Sequence, residues 1–214
     1  MSKQKIKLFI DADDTTLASS KTIIDLLNKK YEIIPPKGLK DLKDWGYRSI
    51  YKNLSRQQVE EMFESDDFFS SVEVVDGFAN FYKEHGDKFS ITVVTAGTKN
   101  NLTKKQEYFH HAFGDSIKYV GIETKYDEFG ELIWDYDKSS VDMRKSVHID
   151  DRIDALRSTN ASVKILLKNG DYYWNEPEAY ANIDNLYVCN NWDEITQILL
   201  FAYERCVAKH KEKE

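Results

Sequence analysis

The chain has 214 residues, a length that suits one domain or one domain with a smaller insertion. Its formal net charge of −7 and pI of about 5.4 argue against a general nucleic-acid binder, which is usually basic on at least one face. No apolar run approaches the ~20 residues of a membrane span, and no signal-like leader precedes Lys7, so we expect a cytoplasmic protein that does not enter a membrane.

The first predicted strand, residues 5–10, leads directly into three acids and two threonines. Asp11 and Asp13 are two residues apart, so on an extended backbone their carboxylates point to the same side and repel each other. Mg²⁺ is the expected counter-ion, because hard divalent cations take oxygen ligands and a magnesium site needs only one or two carboxylates. The run therefore predicts phosphoryl-transfer chemistry.

The next predicted elements form an insertion, residues 17–74. Apolar positions between 23 and 31 mark one amphipathic helix, which a pair of prolines ends. Ser55 and Gln58 form a capping box for a second helix. Ligands of open α/β sheets bind outside the carboxyl ends of the strands. Because the insertion directly follows the acidic strand end, we predict a small helical cap over that opening.

Short apolar runs then alternate with amphipathic helices, two of which Asp76 and Thr98 are predicted to cap. Near-continuous apolar runs are typical of parallel strands that are covered on both faces. The alternation predicts an α/β fold, a doubly wound and mostly parallel sheet whose core comprises residues 1–16 and 75–214. The predicted strands are residues 5–10, 90–95, 117–122, 146–150, 163–167 and 185–189.

Three of these strands deliver polar side chains to one sheet edge, because the carboxyl ends of parallel strands lie together. Each residue alone has an ordinary explanation as a turn, a helix cap or an exposed lysine. Their joint occurrence, in order and after apolar strands, favours a site. In chain order the strand-end residues are Asp11 and Asp13, Thr95, and Asp150 with Asp151. Lys138 lies on an apparent loop between the second and the third of these strands.

This set resembles the haloacid dehalogenase superfamily of phosphatases, over nearly the whole chain. The first motif of that superfamily, D-x-D-x-T after an apolar strand, is matched by Asp11, Asp13 and Thr15, and the residues above match its later threonine, lysine and acidic pair. More narrowly, residues 64–69, with their phenylalanine pair, resemble the return from the cap in the 5′(3′)-deoxyribonucleotidase family. In that family glycine usually follows the second acid, where this chain has Asp14.

The resemblance implies a Rossmann-like core and a reaction through an aspartyl-phosphate. Asp11 is the expected nucleophile, and Asp13 the general acid for the leaving oxygen and then the general base for water. Thr95, the backbone N–H of Ala96 and the Lys138 ammonium are expected to bind the phosphoryl group.

The resemblance also implies Mg²⁺ as cofactor. Asp11, Asp13 through its backbone carbonyl, and Asp150 are the expected ligands, with Asp151 just outside this set. Four carboxylates gathered without a cation would be strongly destabilising, so the metal-free protein should bind divalent metal readily.

The substrate is expected to be a small phosphomonoester, above all a deoxynucleoside monophosphate. Trp45, Phe63 and Phe68 are the expected substrate contacts, because aromatic rings of a cap can stack on a base. Stable nucleic-acid binding is not expected. Several alternatives stay open: a phosphatase acting on a sugar phosphate, another small metabolite or a nucleic-acid 3′ end, and a catalytically silent binding protein with the same fold. Monomer and homodimer are both open.

Overall fold

The computed structural model describes residues 5–126, 128, 132–133, 136–168, 175, 177–180 and 182–211. Eight strands lie in this part of the chain: β1 (Ile6–Ile10), β2 (Phe89–Gly97), β3 (Lys118–Glu123), β4 (Lys125–Tyr126), β5 (Leu132–Ile133), β6 (Val147–Asp150), β7 (Val163–Leu167) and β8 (Leu186–Cys189). Six of them form one parallel sheet in the order β3-β2-β1-β6-β7-β8, and β4 and β5 form a separate antiparallel pair.

Helices cover both faces of the sheet. Adjacent residues of a strand point to opposite faces. Ile165 of β7 belongs to the main core together with Leu199, whereas its neighbour Leu166 packs with Leu156. The predicted doubly wound α/β fold is therefore confirmed. The helices are α1 (Ser19–Lys30), α2 (Arg56–Phe63), α3 (Asp66–Ser71), α4 (Asp76–His85), α5 (Lys99–Phe113), α6 (Ile153–Ser158) and α7 (Trp192–Lys211).

Within the described residues, none of these helices combines the length and the apolar character that crossing a membrane requires.

The register of the sheet brings the carboxyl ends of β1, β2 and β6 together. Ile10 pairs with Val93 on one side and with Ile149 on the other. The N–H of Asp11 then donates to the carbonyl of Ile149 at 2.9 Å. Because the strands are parallel, Asp11 and Asp150 leave the sheet side by side, as the sequence pattern predicts.

The two ends of residues 17–74 lie next to each other at this edge of the sheet. Leu17 forms isolated bridges with Asp13 and Val74, and the N–H of Ala18 donates to the carbonyl of Glu73 at 2.9 Å. Helices α1, α2 and α3 lie between the two crossings. The predicted cap, residues 17–74, thus begins and ends on paired backbone, and its behaviour as a separate unit stays a prediction.

Two predicted helix starts have different outcomes. The Ser55 hydroxyl accepts from the N–H of Gln58, and the Gln58 side chain accepts from the N–H of Ser55, so this capping box is confirmed. The prediction that Asp76 caps α4 is wrong. Val75 occupies the N-cap position and has no side-chain acceptor that could cap the helix, and Asp76 is the first helical residue.

A glycine makes the contact between α4 and α7. A Cβ on Gly77 would lie 2.4 Å from the Cβ of Trp192, whose indole Nε1 donates to the carbonyl of Thr15 at 2.9 Å. Because that bond holds the indole in place, we expect Gly77→Ala to lower the free energy of unfolding by about 1–3 kcal/mol in denaturant titration. Gly38→Ala is the control, because no atom lies within 4 Å of its added Cβ. Equal stability of the two variants would contradict this packing.

Candidate active site

Lys138 joins the acids at the ends of β1 and β6. Its ammonium donates to Asp11 Oδ1 and, at 2.7 Å, to Asp150 Oδ2, and all three residues are buried. The backbone N–H of Lys138 donates to Ser158 Oγ at 2.9 Å, which holds the loop that carries the lysine. One buried positive charge therefore lies between two buried carboxylates, where the low local dielectric strengthens the attraction.

The two carboxyls differ in acidity. Burial raises the pKa of Asp11 to about 7 in spite of the Lys138 ammonium beside it. Burial acts on Asp150 in the same direction, but the Lys138 ammonium and the neighbouring His148 imidazole hold its pKa well below the usual range. Asp150 Oδ1 also accepts the N–H of Arg152 at 2.9 Å. In the metal-free site Asp150 is thus the more acidic of the two carboxyls and Asp11 the less acidic.

Three carboxylates form a cluster that suits a divalent cation. Asp11, Asp150 and Asp151 each offer an oxygen, and these atoms lie within 4.8 Å of one another. Within the described part of the chain, Asp151 Oδ2 is buried without a hydrogen-bond partner, and burial followed by the Asp150 charge raises the pKa of Asp151. A donor set made only of oxygens fits Mg²⁺.

The membership of this cluster differs from the expectation. Asp151 was expected just outside the metal ligands, yet its carboxylate lies with those of Asp11 and Asp150. The Asp13 carboxylate lies outside this cluster, where Ser19 Oγ donates to its Oδ1 at 2.7 Å and the Lys105 ammonium forms an ion pair with its Oδ2. The expected ligand from Asp13 is its backbone carbonyl, and that assignment stays a prediction.

Lys105 of α5 is a residue that the sequence analysis missed. It is 1 % exposed, and its ammonium lies 3.4 Å from Thr95 Oγ1 as well as on Asp13. One signal was available in the sequence. Lys105 follows Leu102 by three residues and precedes Phe109 by four, so it interrupts the apolar stripe of an amphipathic helix. A lysine in such a position is buried and requires a partner.

The predicted phosphate-binding segment lines the same cavity. Thr95 and Ala96 lie in it, but β2 continues through Gly97, so Ala96 belongs to the strand rather than to the start of a helix. Helix α5 begins two residues later, where Thr98 Oγ1 accepts the N–H of Asn101 and confirms the predicted cap. This helix start faces the cavity and adds a favourable position for an anion.

An aromatic wall, formed by Trp45, Phe63 and Tyr136, lines another side of the cavity. The Trp45 and Phe63 rings stack with centroids 6.0 Å apart, and Tyr136 meets Trp45 edge-on at 6.3 Å. The Arg152 guanidinium lies 3.5 Å from the Tyr136 centroid. Phe68 is fully buried behind Phe63, so the structure gives it a packing position in place of the predicted substrate contact. Tyr136 and Arg152 were not predicted.

Comparison with known proteins identifies one matching family and a set of solved structures with a similar fold. The family model of the 5′ nucleotidase, deoxy (Pyrimidine), cytosolic type C protein matches residues 4–205. No curated protein matches the chain.

Similar solved structures share the fold at low sequence identity. A haloacid dehalogenase-like family hydrolase from Streptococcus pneumoniae is 14% identical, with 91% of this chain and 98% of that one covered and a TM-score of 0.54. YfnB from Bacillus subtilis, bound to magnesium, is 15% identical, with 92% and 99% covered and a TM-score of 0.53. A haloacid dehalogenase-like protein of unknown function from Agrobacterium tumefaciens is 11% identical, with 93% and 99% covered and a TM-score of 0.55.

The ion pair between Lys105 and Asp13 predicts a kinetic effect. We expect Lys105→Met to lower kcat for phosphomonoester hydrolysis by roughly 10- to 100-fold, because Asp13 loses the ammonium that holds its carboxylate in place. The adjacent Lys104→Met is the matched control, since Lys104 pairs with the exposed Asp66. Steady-state kinetics and thermal melting are measured for both variants. A Lys105→Met enzyme as fast as Lys104→Met would contradict the role of the ion pair.

The carboxyl pKa values predict how the metal-free protein responds to pH. Burial raises the pKa of Asp14 to about 6, that of Asp11 to about 7 and that of Asp151 as well. The folded state therefore binds protons that the unfolded state has released above pH ~4, and stability falls as pH rises through this window. Burial lowers the pKa of His148, so this residue makes stability rise with pH, but it is one group against three.

We expect the metal-free Tm to be about 5 °C higher at about pH 5.5 than at about pH 8. Mg²⁺ should raise Tm more at the higher pH, because the carboxyls are then ionised and free to bind it. Scanning fluorimetry at both pH values, with and without MgCl₂, measures both effects. A metal-free Tm that rises between these pH values would be inconsistent with the assigned pKa shifts.

Proposed function

Because the chain belongs to the family of the 5′ nucleotidase, deoxy (Pyrimidine), cytosolic type C proteins, we propose that it is a Mg²⁺-dependent cytoplasmic phosphatase that removes phosphate from deoxynucleoside monophosphates. The observation that carries the proposal is the pairing of the buried Asp11 with the Lys138 ammonium inside a cavity that the aromatic wall also lines. A nucleoside monophosphate has an anionic end and a flat aromatic end, and these two parts of the cavity complement them.

The metal is assigned to the carboxylate cluster. Asp11, Asp150 and Asp151 would hold Mg²⁺, since their oxygens converge and Asp151 Oδ2 otherwise lies buried without a partner in the described structure. When bound, the ion offsets the negative charge of the phosphate and of the carboxylates around it.

In the first step, an Asp11 carboxylate oxygen attacks phosphorus and the bond between phosphorus and the leaving oxygen breaks. The electron pair of that bond stays on the leaving oxygen, which takes a proton from Asp13. Lys138 offsets the charge on Asp11 and on the phosphoryl oxygens, and Thr95 Oγ1 donates to one of those oxygens. The products are an aspartyl-phosphate and a free nucleoside.

In the second step, water attacks the phosphorus of the aspartyl-phosphate while Asp13 accepts its proton. The bond between phosphorus and Asp11 breaks, and phosphate leaves. The Lys105 ammonium, through its ion pair with Asp13 Oδ2, holds in place the carboxylate that accepts this proton. Asp13 ends the cycle protonated again, ready for the next substrate.

A substrate panel tests the function. We expect phosphate release from 5′- and 3′-deoxynucleoside monophosphates to exceed release from sugar phosphates by at least about tenfold, and to require Mg²⁺, because stacking on the aromatic wall adds ~1–3 kcal/mol per base. Asp11→Asn should lower turnover by at least about 10³-fold without loss of Tm. Asp25→Asn, on the exposed surface of α1, is the control and should be as active as the wild type.

A faster reaction with sugar phosphates would contradict the nucleotide assignment and indicate a sugar phosphate as the substrate. Failure to hydrolyse any ester in the presence of Mg²⁺ would favour a binding protein of the same fold.

A further inference from the structure

Asp14 adopts a backbone conformation that normally favours glycine. Its φ is +54°, in the left-handed region, and it is buried. A residue with a side chain in this region is uncommon, although Asp and Asn occur there more often than others. The side chain therefore requires compensating contacts, and the structure shows them.

These contacts join Asp14 to the first turn of α1. Asp14 Oδ1 accepts the backbone N–H of Ser20 at 2.7 Å, and Oδ2 accepts the Ser20 hydroxyl. No side chain caps α1 at its N-cap residue Ala18, so the Asp14 carboxylate satisfies one of the N–H groups at this helix start. The preceding serine, Ser19, donates to Asp13 in the same way. Two adjacent serines thus fasten α1 to two adjacent acids.

A third hydroxyl extends the chain of bonds into the insertion. Ser20 Oγ lies 2.9 Å from the hydroxyl of Tyr47, which is fully buried. The Ser20 hydroxyl has one proton, which it gives to the Asp14 carboxylate, so Tyr47 is the donor to Ser20. The bonds therefore run from Tyr47 to Ser20 to Asp14, and every group in this chain is buried.

The Tyr47 ring in turn packs against the aromatic wall. Its centroid lies 6.3 Å from that of Trp45 and 6.2 Å from that of Phe63. Trp45 and Phe63 line the cavity, whereas Tyr47 does not. The position of the wall is thus connected, through Tyr47, Ser20 and Asp14, to the residue that directly follows Asp13.

We propose that the Asp14–Ser20–Tyr47 hydrogen-bond chain positions the aromatic wall relative to Asp11 and Asp13, and so determines how well the enzyme recognises the base of its substrate. The inference rests on the proposed function. Tyr47, Ser20 and Asp14 are positioning residues, because they act through Trp45 and Phe63. Removal of the chain should weaken recognition of a base and leave the reaction at phosphorus unchanged.

The experiment compares two esters, a deoxynucleoside 5′-monophosphate and 2-deoxyribose 5-phosphate, which lacks the base. We expect Tyr47→Phe to lower the ratio of their kcat/KM values about fivefold, through a higher KM for the nucleotide, as the loss of one buried hydrogen bond implies. The rate with the base-free ester should stay within about twofold. Tyr51→Phe is the matched control, since Tyr51 stacks on Tyr31 and does not line the cavity. It should leave the ratio unchanged.

Ser20→Ala removes the middle of the same chain and provides a second variant. It should lower the ratio of kcat/KM values to a similar degree. The double variant, Ser20→Ala with Tyr47→Phe, should have the same ratio as either single variant, because each substitution interrupts the same hydrogen-bond chain. A merely structural role would lower Tm and slow both esters equally.

The possible outcomes separate the two proposals. A wild-type enzyme that hydrolyses neither ester contradicts the proposed function, and the inference with it. A wild type that hydrolyses the nucleotide, together with variants whose ratio is unchanged or whose rates fall equally for both esters, contradicts the inference alone.

Discussion

The structure depends on the balance of charge at the carboxyl edge of the parallel sheet. The register places Asp11 beside Asp150, and two buried carboxylates so close together repel strongly unless a cation lies between them. Lys138 supplies one positive charge, and a metal would supply the rest. Asp13, two residues from Asp11, has its own ammonium in Lys105. The two acids of one motif therefore have different electrostatic surroundings, which is the condition for a division between nucleophile and proton carrier.

The insertion and the core contribute different properties to the cavity. The residues outside 17–74 provide the charged groups that line it, among them Asp11, Lys138 and Asp150, while Trp45 and Phe63 of residues 17–74 provide flat apolar surface. The loop before β6 belongs to both, because Tyr136 of the wall precedes Lys138 by two residues. A common scaffold can thus retain its reaction while its insertion changes the leaving group that it accepts.

Residues at strand ends were predictable from the sequence, and residues placed by helices were not. Apolar runs define the strands, and a parallel sheet brings their ends together, so Asp11, Thr95 and Asp150 could be grouped without a structure. Lys105 reaches the site from the side of α5. Its two neighbours in the sequence, Lys104 and Gln106, are polar, which is typical of a solvent-exposed helix face. Only its interruption of the apolar stripe distinguishes it.

The roles of the aromatic residues were harder still to predict, because the same sequence pattern occurs whether a ring packs in the core or contacts a ligand. Phe63 and Phe68 are five residues apart in the sequence, yet Phe63 lines the cavity and Phe68 is fully buried. Which ring faces a ligand depends on how α2 and α3 pack, and no local pattern contains that information. Arg152 is a similar case, since it follows two predicted site acids, and no local pattern indicates that its guanidinium lies over the ring of Tyr136.

Trapping the phosphorylated enzyme identifies the nucleophile, which we propose to be Asp11. Excess enzyme is mixed with a deoxynucleoside monophosphate and Mg²⁺, quenched with acid during the first turnover, and digested for mass spectrometry. We expect an acid-stable phosphoryl group on the peptide that contains Asp11, localised to that residue and present only transiently. Release of phosphate with the phosphoryl group on a different residue, or on no residue at any time during the turnover, would contradict it.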